Sequence, residues 1–405
     1  MKKLMILGAS YSQLPLYKAA AGLGIKTVAV STPGEWPGFE VADEYSHTDI
    51  SDPEAVLKAA REHEINGIAT CCLDAGIRSI GYVCEHMGLK GLSETAGKLC
   101  SDKYLMKEAF IKGGVNCARH ICIRDIGELE QAVEVLNFPV ILKAVDLMGS
   151  RGLFRCNTKE EVYLHYADTM AATGKDYCLL EEFIEGEMLG CEAMISDGKF
   201  LYCLPNNIEN YPGYVPTPVG HSVPYKKQDI LGEEIRRQVL LAVKALGMDN
   251  CPVNCDLMEK DGKIYVIEIT GRAGGTCLPE TVGLYYGLNY YEAIVRLAMD
   301  MHAEEMFQKE MFQKEMFQKA RLHRANLSHI LSSDKSGILK EIHNENRRDP
   351  DLIDLSFNVG PGDEIRRYEN GRDRIGQVIL TGENLQKCEE YLSQVLSKIS
   401  IEFIS

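Results

Sequence analysis

The chain has 405 residues, 45% of them hydrophobic and 25% charged, and a formal net charge of −15 at pH 7. This length predicts about two to three domains, and no apolar run reaches the roughly 18 residues of a membrane helix. The acidic balance argues against general nucleic-acid binding, because most of the surface would repel a polyanion. Lys2 and Lys3 precede an apolar run that stops at Gly8, so we expect a buried first strand rather than a signal peptide, and a cytoplasmic protein.

The first hundred residues alternate between strand and helix patterns. Apolar runs and helical spacings follow one another at residues 4–7, 14–23, 27–30, 52–63 and 67–70. Asp52 is the predicted N-cap of the second helix, and Pro53 takes its first position. Strands separated by helices favour a parallel sheet with crossover connections, so residues 1–100 are predicted to form a parallel α/β domain.

Two lysines and a glycine-containing loop make the next segment a candidate phosphate site. Lys103 opens a predicted helix, Lys143 ends a predicted strand, and Gly149-Ser150-Arg151-Gly152 follows. Ammonium groups suit phosphate oxygens, and glycines allow backbone N–H groups to approach a triphosphate closely. Taken alone, each lysine is more often a solvated surface residue.

A predicted strand from residue 178 ends in Glu181-Glu182-Phe183-Ile184 and is a candidate adenine site. Free backbone groups at a strand edge can pair with the base, and the acidic side chains suit its exocyclic amine and the ribose hydroxyls. Phe183 and Ile184 would supply the apolar slot. The alternative interpretation is a plain amphipathic strand end.

The most specific pattern is a predicted hairpin that carries two acids. Asp256 and Glu268 lie on either side of an Asp-Gly turn at 261–262, on strands expected to pair. Two facing carboxylates repel each other unless a cation lies between them, and Mg²⁺ with phosphate oxygens fits such a pair. Arg272 and the glycines at 274–275 follow at once, and they could stabilise a developing oxyanion. A hairpin with solvated acids is the alternative.

The end of the chain contains one internal repeat and a short α+β pattern. Glu-Met-Phe-Gln-Lys begins at 305 and recurs at 310 and 315. Its period of five differs from 3.6, so we predict an exposed helix or linker over 305–320, with a partner-binding segment as the alternative. A strand near 378–380 and a helix from about 384 to 398 predict a small α+β cap over 321–405.

In this order the motifs resemble those of the ATP-grasp superfamily. The resemblance spans residues 1 to about 300 and is carried by Lys103, Lys143 with its loop, Glu181-Glu182-Phe183-Ile184-Glu185-Gly186, Asp256 and Glu268-Ile269-Thr270-Gly271-Arg272-Ala273-Gly274-Gly275. The sequence is most similar to the carboxylate–amine ligases that include bacterial L-amino-acid ligases. Asp146-x-x-Gly-Ser-Arg-Gly, Gly220-His221-Ser222-Val223-Pro224 and the C-terminal cap resemble that group.

This resemblance implies a mixed α/β and α+β architecture with an ATP-grasp fold behind the N-terminal parallel-sheet domain. Residues 101–187 would form the first lobe, with a lid at about 115–185. Residues 188–304 would form the second lobe with the magnesium site. The C-terminal cap would complete the fold.

The resemblance also implies a role for each site residue. Lys103 and Lys143 would hold the α- and β-phosphates, while Gly149, Ser150 and Gly152 would close over the γ-phosphate. Glu181, Glu182 and the backbone of Phe183 and Ile184 would bind adenine. Asp256 and Glu268 would ligate two Mg²⁺ ions. Arg272, helped by Arg151, would stabilise the acyl phosphate and the tetrahedral intermediate, with His221, Gly274 and Gly275 in the substrate pocket.

Two positions depart from the family pattern. Thr270 stands where the family usually has the Asn that follows the bridging Glu, so the second metal would be held more weakly or through water. Met188 stands where the ribose-binding Glu normally lies, so ribose contact passes to Glu187.

The function implied is an ATP-dependent ligase that activates a carboxylate, expected to be an amino acid, and joins it to an amine. The partners would be these small molecules, without nucleic acid or membrane, and the resemblance is compatible with a homodimer. One alternative is a bicarbonate-using or purine-pathway ATP-grasp ligase. The other is an ATP-binding regulatory module without turnover.

Overall fold

The computed structural model of the chain describes residues 2–147, 149, 151–211, 217–307, 323–369 and 371–404. Ser150 of the predicted phosphate loop lies outside the described residues, as does most of the predicted repeat segment, from residue 308 onward. Within the described ranges, no helix combines the length and apolar character needed to span a membrane.

The N-terminal domain is a four-stranded sheet in the order β3-β2-β1-β4, with every pair parallel. Its elements are β1 (Lys3–Leu7), α1 (Leu14–Gly22), β2 (Lys26–Ser31), α2 (Pro37–Val41), β3 (Glu44–His47), α3 (Pro53–Glu62), β4 (Gly67–Ala69), α4 (Ile77–Met87) and α5 (Glu94–Cys100). The Asp52 carboxylate accepts hydrogen bonds from the backbone N–H groups of Glu54 and Ala55, each at 3.1 Å, and so caps α3. The predicted parallel domain and its helix cap are therefore confirmed.

The next unit is a four-stranded antiparallel sheet in the order β5-β8-β6-β7. Helix α6 (Lys103–Gly113) leads into this unit and buries Met106 and Phe110 in the main core of the molecule. The elements of the unit itself are β5 (His120–Ile123), α7 (Ile126–Val135), β6 (Val140–Lys143), β7 (Leu153–Cys156), α8 (Lys159–Ala172) and β8 (Cys178–Glu182). Leu129, Leu142 and Leu180 belong to a separate apolar core of this unit. A lid that moves as one body needs a core separate from the rest of the molecule. This unit has such a core, so it is consistent with the predicted lid.

An eight-stranded sheet in the order β13-β12-β9-β10-β11-β14-β18-β16 is the framework of the remaining part of the molecule. Its first part consists of β9 (Glu187–Ser196), β10 (Lys199–Tyr211), β11 (Thr217–Val223), α9 (Gln228–Ala245), β12 (Cys251–Lys260), β13 (Lys263–Thr270), α10 (Leu278–Tyr286) and α11 (Tyr290–Ala298). The C-terminal part consists of β14 (Ala325–Leu331), β15 (Gly337–Asn344), β16 (Leu352–Phe357), β17 (Glu364–Ile365), β18 (Gly376–Gly382), α12 (Leu385–Leu396) and β19 (Ile399–Phe403).

The C-terminal segment continues this large sheet through β14, which pairs with β11 in antiparallel register. Strands β17, β15 and β19 form a small sheet of their own. The predicted strand at 378–380 and the predicted final helix are confirmed as β18 and α12. The mixed architecture inferred from the sequence is therefore the observed one, and the cap shares its main sheet with the second lobe.

Candidate functional site

The acidic hairpin forms as the sequence predicts. β12 and β13 pair antiparallel around the turn at Asp261 and Gly262, both with positive φ, and the register places Asp256 directly opposite Glu268. Burial and, next in size, the neighbouring Glu268 carboxylate together raise the pKa of Asp256 to about 7. A divalent cation would relieve this repulsion, so the pair has the donor chemistry and the electrostatic need of a magnesium site.

Lys103, at the start of α6, connects this hairpin to the loop after β6. Its Nζ lies 2.9 Å from Glu268 Oε1 and donates a hydrogen bond of 2.7 Å to the carbonyl oxygen of Leu147. Its backbone N–H donates to the carbonyl oxygen of Val145 at 2.9 Å. Three segments that the sequence assigned to nucleotide and metal binding therefore meet at one ammonium group.

Lys143, at the end of β6, takes part in a buried cluster of charges. Its ammonium group contacts Glu181 Oε1, while Lys107 Nζ lies 2.9 Å from Glu181 Oε2. Burial lowers the pKa of Lys143 to about 8. Burial alone would raise the pKa of Glu181, but the two lysines outweigh it and bring that pKa down to about 2. The Glu181 carboxylate thus faces two lysines, and the adenine contact assigned to it stays a prediction.

The strand end after Glu181 already has several internal partners. Glu182 accepts hydrogen bonds from the backbone N–H and side-chain amide of Asn137 at 2.9 and 2.8 Å. The Phe183 N–H donates to the Pro139 carbonyl at 2.9 Å, and Ile184 is buried. The Arg155 guanidinium carbon lies 4.2 Å from the centroid of the Phe183 ring.

Glu187, the predicted ribose ligand, forms salt bridges with two lysine side chains in this structure. Its carboxylate oxygens lie 3.2 Å from Lys226 Nζ and 2.7 Å from Lys227 Nζ, and these contacts hold its pKa below the usual value. Lys227 also contacts Glu259 at 2.6 Å. A ribose contact by Glu187 stays a prediction.

Arg272 is held by the N-terminal domain. Its Nε and one terminal nitrogen donate to the two Asp74 carboxylate oxygens at 2.7 and 2.6 Å. A third nitrogen donates to Asn254 Oδ1 at 3.2 Å. Burial would raise the pKa of Asp74, but Arg272 holds it below its usual value. A buried, bidentate pair of this kind fixes the plane of the guanidinium.

Glu192 supports the glycine turn behind Arg272. It accepts hydrogen bonds from Asn254 Nδ2 at 2.7 Å and from the Gly274 N–H at 3.1 Å. Burial raises the pKa of Glu192 to about 8. A Cβ at Gly274 would lie 2.4 Å from Leu278 Cδ1 and 2.7 Å from Glu192 Oε1, so a side chain here would require these neighbouring side chains to shift. Gly275, by contrast, borders open space.

His221 lies on β11, close to the loop that follows Gly275. Its Nδ1 is 2.9 Å from Asn206 Oδ1, and burial lowers the pKa of His221 to about 4, so the imidazole is neutral at physiological pH. The Ser328 hydroxyl contacts the carbonyl oxygens of Thr276 and His221, at 3.0 and 3.5 Å, and joins their two backbones. The predicted substrate residue is thus near the predicted substrate loop.

The remaining predicted residues lie at the end of β13 and in the loop between β6 and β7. Thr270 is buried at the end of β13, opposite Asn254 in register. Gly149 and Gly152 have φ values of +64° and +61°, a conformation that favours glycine, and the Gly152 carbonyl accepts a 2.8 Å bond from the Ala144 N–H. Arg151 is exposed between them.

Four residues of this site were missed in the sequence: Asp74, Lys107, Glu192 and Asn254. Lys107 follows Lys103 by four residues, and this helical spacing could have identified it. Asp74 comes soon after β4, near the carboxyl end of a parallel strand, where ligands usually bind. Glu192 interrupts the apolar run of β9, and such a buried acid needs a partner.

Comparisons with known proteins identify the family to which the fold belongs. A model of the ATP-grasp domain matches residues 100–276, and a model of the L-amino acid ligase C-terminal domain 2 matches residues 329–403. The alanine–anticapsin ligase of Bacillus subtilis is 23% identical over 283 residues, a match that covers 62% of this chain and 58% of that protein. The chain thus spans less than two thirds of the length of the first curated relatives that it matches.

Several solved structures match over the whole chain, among them the following two. The structure described as phosphoribosylglycinamide synthetase from Anaerococcus prevotii is 41% identical, with a TM-score of 0.84 and complete coverage of both chains. The L-amino acid ligase from Bacillus licheniformis has the same fold, with a TM-score of 0.82, 20% identity and coverage of 100% of this chain and 99% of that one. These matches show that the chain belongs to the ATP-grasp family of carboxylate–amine ligases.

Proposed function

We propose that the chain uses ATP to convert a carboxylate, expected to be an amino acid, into an acyl phosphate and then couples it to an amine. The observation that carries the proposal is the meeting of Asp256 and Glu268 with Lys103 at one face of the second lobe. Facing acids beside a lysine and a fixed arginine form a site for a magnesium-bound triphosphate next to a developing oxyanion.

The residues divide the task between nucleotide, metal and substrate. Lys103, Lys143 and the loop of Gly149, Ser150 and Gly152 would hold the phosphates. Glu181, Glu182, Phe183, Ile184 and Glu187 would hold the nucleoside. Asp256, Glu268 and Thr270 would hold magnesium, expected to be two ions, which neutralises phosphate charge when bound.

Both steps need the arginine and the exclusion of water. A carboxylate oxygen attacks the γ-phosphorus and ADP leaves; the amine then attacks the acyl carbon and phosphate leaves. Arg272, aided by Arg151, would stabilise the charge on the acyl phosphate and the tetrahedral intermediate, while Gly274, Gly275 and His221 line the acceptor side. Closure of the lid over residues 115–185 would keep water from the acyl phosphate.

Nucleotide binding would require the charged pairs to exchange partners. Lys103 is now paired with Glu268, and Lys143 with Glu181. Phosphate would draw each lysine away, and magnesium would replace Lys103 beside Glu268. Glu181, which is buried, and Glu268, which is partly exposed, thus keep the two lysines in place before the nucleotide arrives.

A second candidate is a purine-pathway ligase of the same chemistry. It is favoured by the 41% identity, over complete chains, with the structure described as phosphoribosylglycinamide synthetase. In this reading the amine would carry a phosphoribosyl group and the acid would be glycine. A bicarbonate-using ligase and an ATP-binding module without turnover are further alternatives. Cytoplasmic location and homodimer assembly also stay proposals.

An ADP-release screen tests the proposal directly. The full chain is given ATP and magnesium with single amino acids, pairs of amino acids, bicarbonate, or glycine with a phosphoribosyl amine, and the products are identified by mass. Release that needs an acid and an amine supports the ligase, and the productive pair chooses between the two candidates. Release with bicarbonate as the acid supports the bicarbonate alternative, and ATP binding without release across the screen contradicts catalysis.

A further inference from the structure

A chamber of about 740 Å³ lies between helices α10 and α11 and the C-terminal part of the large sheet. Leu284 and Leu288 line its helical side, and Ile353 and Ile379 line its sheet side. This volume lies within the roughly 300–1,000 Å³ of small-molecule sites, which are typically apolar with a few polar groups. None of the nucleotide, metal or substrate residues assigned above lines the chamber.

Glu280 on α10 lines the chamber, and within the described part of the chain only one of its two carboxylate oxygens accepts a hydrogen bond from another side chain. Its Oε1 accepts a 2.7 Å hydrogen bond from the Tyr291 hydroxyl. Its Oε2 is buried and has no hydrogen-bond partner among the described residues. Burial raises the pKa of Glu280, and this effect outweighs the lowering by the Tyr291 hydrogen bond and by the charge of Arg374. A buried carboxylate oxygen without a donor is unfavourable and rare in native proteins.

The other charged groups of the chamber are bonded within the protein. Arg324 donates to both carboxylate oxygens of Asp351 at 2.9 and 3.1 Å. Arg374, just outside the lining, contacts the side chain of Gln377. Asp354 accepts from the Gln377 amide and from the Ser356 hydroxyl. Glu280 and Asp354 thus accept from neutral donors and keep their negative charge for a ligand, whereas the lining arginine is neutralised by Asp351.

We propose that this chamber binds a small molecule in which a protonated primary amine is attached to an apolar body. The ammonium group donates to Glu280 Oε2 and to Asp354, and the apolar body lies along Leu284 and Ile379. The ligand covers Ile353, which is 45% exposed at the sheet side of the chamber. The chamber is separate from the site of the proposed reaction, and the amine should therefore bind there without ATP or magnesium.

Three probes of equal length test the ligand chemistry: hexylamine, 1-hexanol and hexanoate. Each is titrated into the full chain without ATP, and binding is measured by calorimetry and ligand-observed NMR. We expect hexylamine to bind at least about tenfold more tightly than the other two, because a charge-assisted hydrogen bond is the distinguishing contact. The variant Glu280→Gln should weaken hexylamine binding by about tenfold and leave 1-hexanol binding unchanged.

A second pair of variants tests the location even if Glu280→Gln fails to fold. Ile353→Trp narrows the chamber and should abolish hexylamine binding, whereas Ile338→Trp, at a site 42% exposed and outside the chamber, should not. Equal affinity for the three probes, or hexylamine binding that survives Ile353→Trp, overturns the proposal. Arg272→Ala should retain hexylamine binding, and loss there would instead assign the amine to the proposed reaction site.

Discussion

The pair of Asp74 and Arg272 joins two domains at the position where the acyl phosphate would form. Arg272 is the predicted stabiliser of the intermediate, but its orientation depends on an aspartate from the N-terminal domain and on Asn254. A guanidinium with two bonds to one carboxylate has little rotational freedom. Asp74 therefore acts as a positioning residue, and its effect should appear in turnover more than in nucleotide binding.

The variant Asp74→Asn should slow ADP release by up to about a hundredfold, because a small misplacement of a positioning contact has effects of this size. Nucleotide affinity should change little, since Asp74 contacts none of the predicted nucleotide residues in the described structure. Steady-state ADP release and equilibrium ATP binding measure the two effects. Glu54→Gln, an exposed acid-to-amide change in the same domain, is the matched control. Equal loss of turnover in both variants would contradict the assignment.

Removal of Lys143 or Glu268 should abolish ADP release and leave the fold intact. Lys143→Ala removes a predicted phosphate ligand, and Glu268→Ala removes half of the facing acid pair. ADP release and circular dichroism measure activity and fold, and Lys263→Ala, at an exposed position on β13, is the control. Full activity in either of the first two variants would refute the site.

His221 should make stability depend on pH below neutrality. Its pKa is lowered by burial from 6.5 to about 4, so between these values the unfolded chain binds a proton that the folded chain does not. The free energy of unfolding should therefore fall as pH decreases from 6.5 to 4, by on the order of 3 kcal/mol. Denaturant titrations of the parent and of His221→Asn check this, with the exposed His86→Asn as control. An unchanged slope in His221→Asn would exclude the effect.

At the scale of elements, the sheet of β5 to β8 behaves as one packed unit. Its core is separate from the two larger clusters, and Lys103 and Lys107 of α6 connect it to the rest of the site. A unit that moves as a lid must keep its own core while its outer contacts change. The buried charges at its border are suited to such a change, because ion pairs can exchange partners without loss of packing.

Leu180→Ala in this core should destabilise the lid by about 2–5 kcal/mol, the usual effect of a cavity at a fully buried leucine. Hydrogen exchange should then increase across residues 120–182, while β9 and β12 keep their protection. Leu164→Ala on α8, where the side chain is 70% exposed, is the control within the same unit. A uniform increase over the whole chain would mean that the lid does not open independently.

At the scale of the whole molecule, the large sheet is continuous from the hairpin of β12 and β13 to the C-terminal strands. Residues 220–223 of β11 pair with 326–329 of β14, so the C-terminal segment covers an edge of the second lobe. Uncovered edge strands are templates for aggregation. The same arrangement closes one side of the chamber beside Glu280.

A chain truncated after Glu304 should therefore aggregate or fail to fold, because it exposes β11 and removes three strands of the large sheet, β14, β16 and β18, together with the small sheet of β15, β17 and β19. Soluble yield, size-exclusion chromatography and thermal melting measure this outcome. A fragment lacking only residues 404–405 should behave as the full chain. A monomeric truncated fragment with a cooperative melting transition would show that the second lobe folds without the C-terminal segment.

The sequence by itself determined the features that depend on near neighbours. Periodicity gave the strands and helices, Asp52 and Pro53 gave a helix start, and the turn at 261–262 placed Asp256 opposite Glu268. Local spacing and turn chemistry act over a few residues, so a pattern in one segment suffices to predict them. The motif order likewise predicted the family and the mixed fold.

Tertiary structure alone decided which distant groups meet. Arg272 and Asp74 are 198 positions apart, and Lys143 faces Glu181 rather than open space. The continuation of the sheet into β14 and the burial of Glu192 depend in the same way on how elements pack. The physical reason is that pairing between segments and the loss of solvent around a charge are set by the assembled core, and no single segment contains that information.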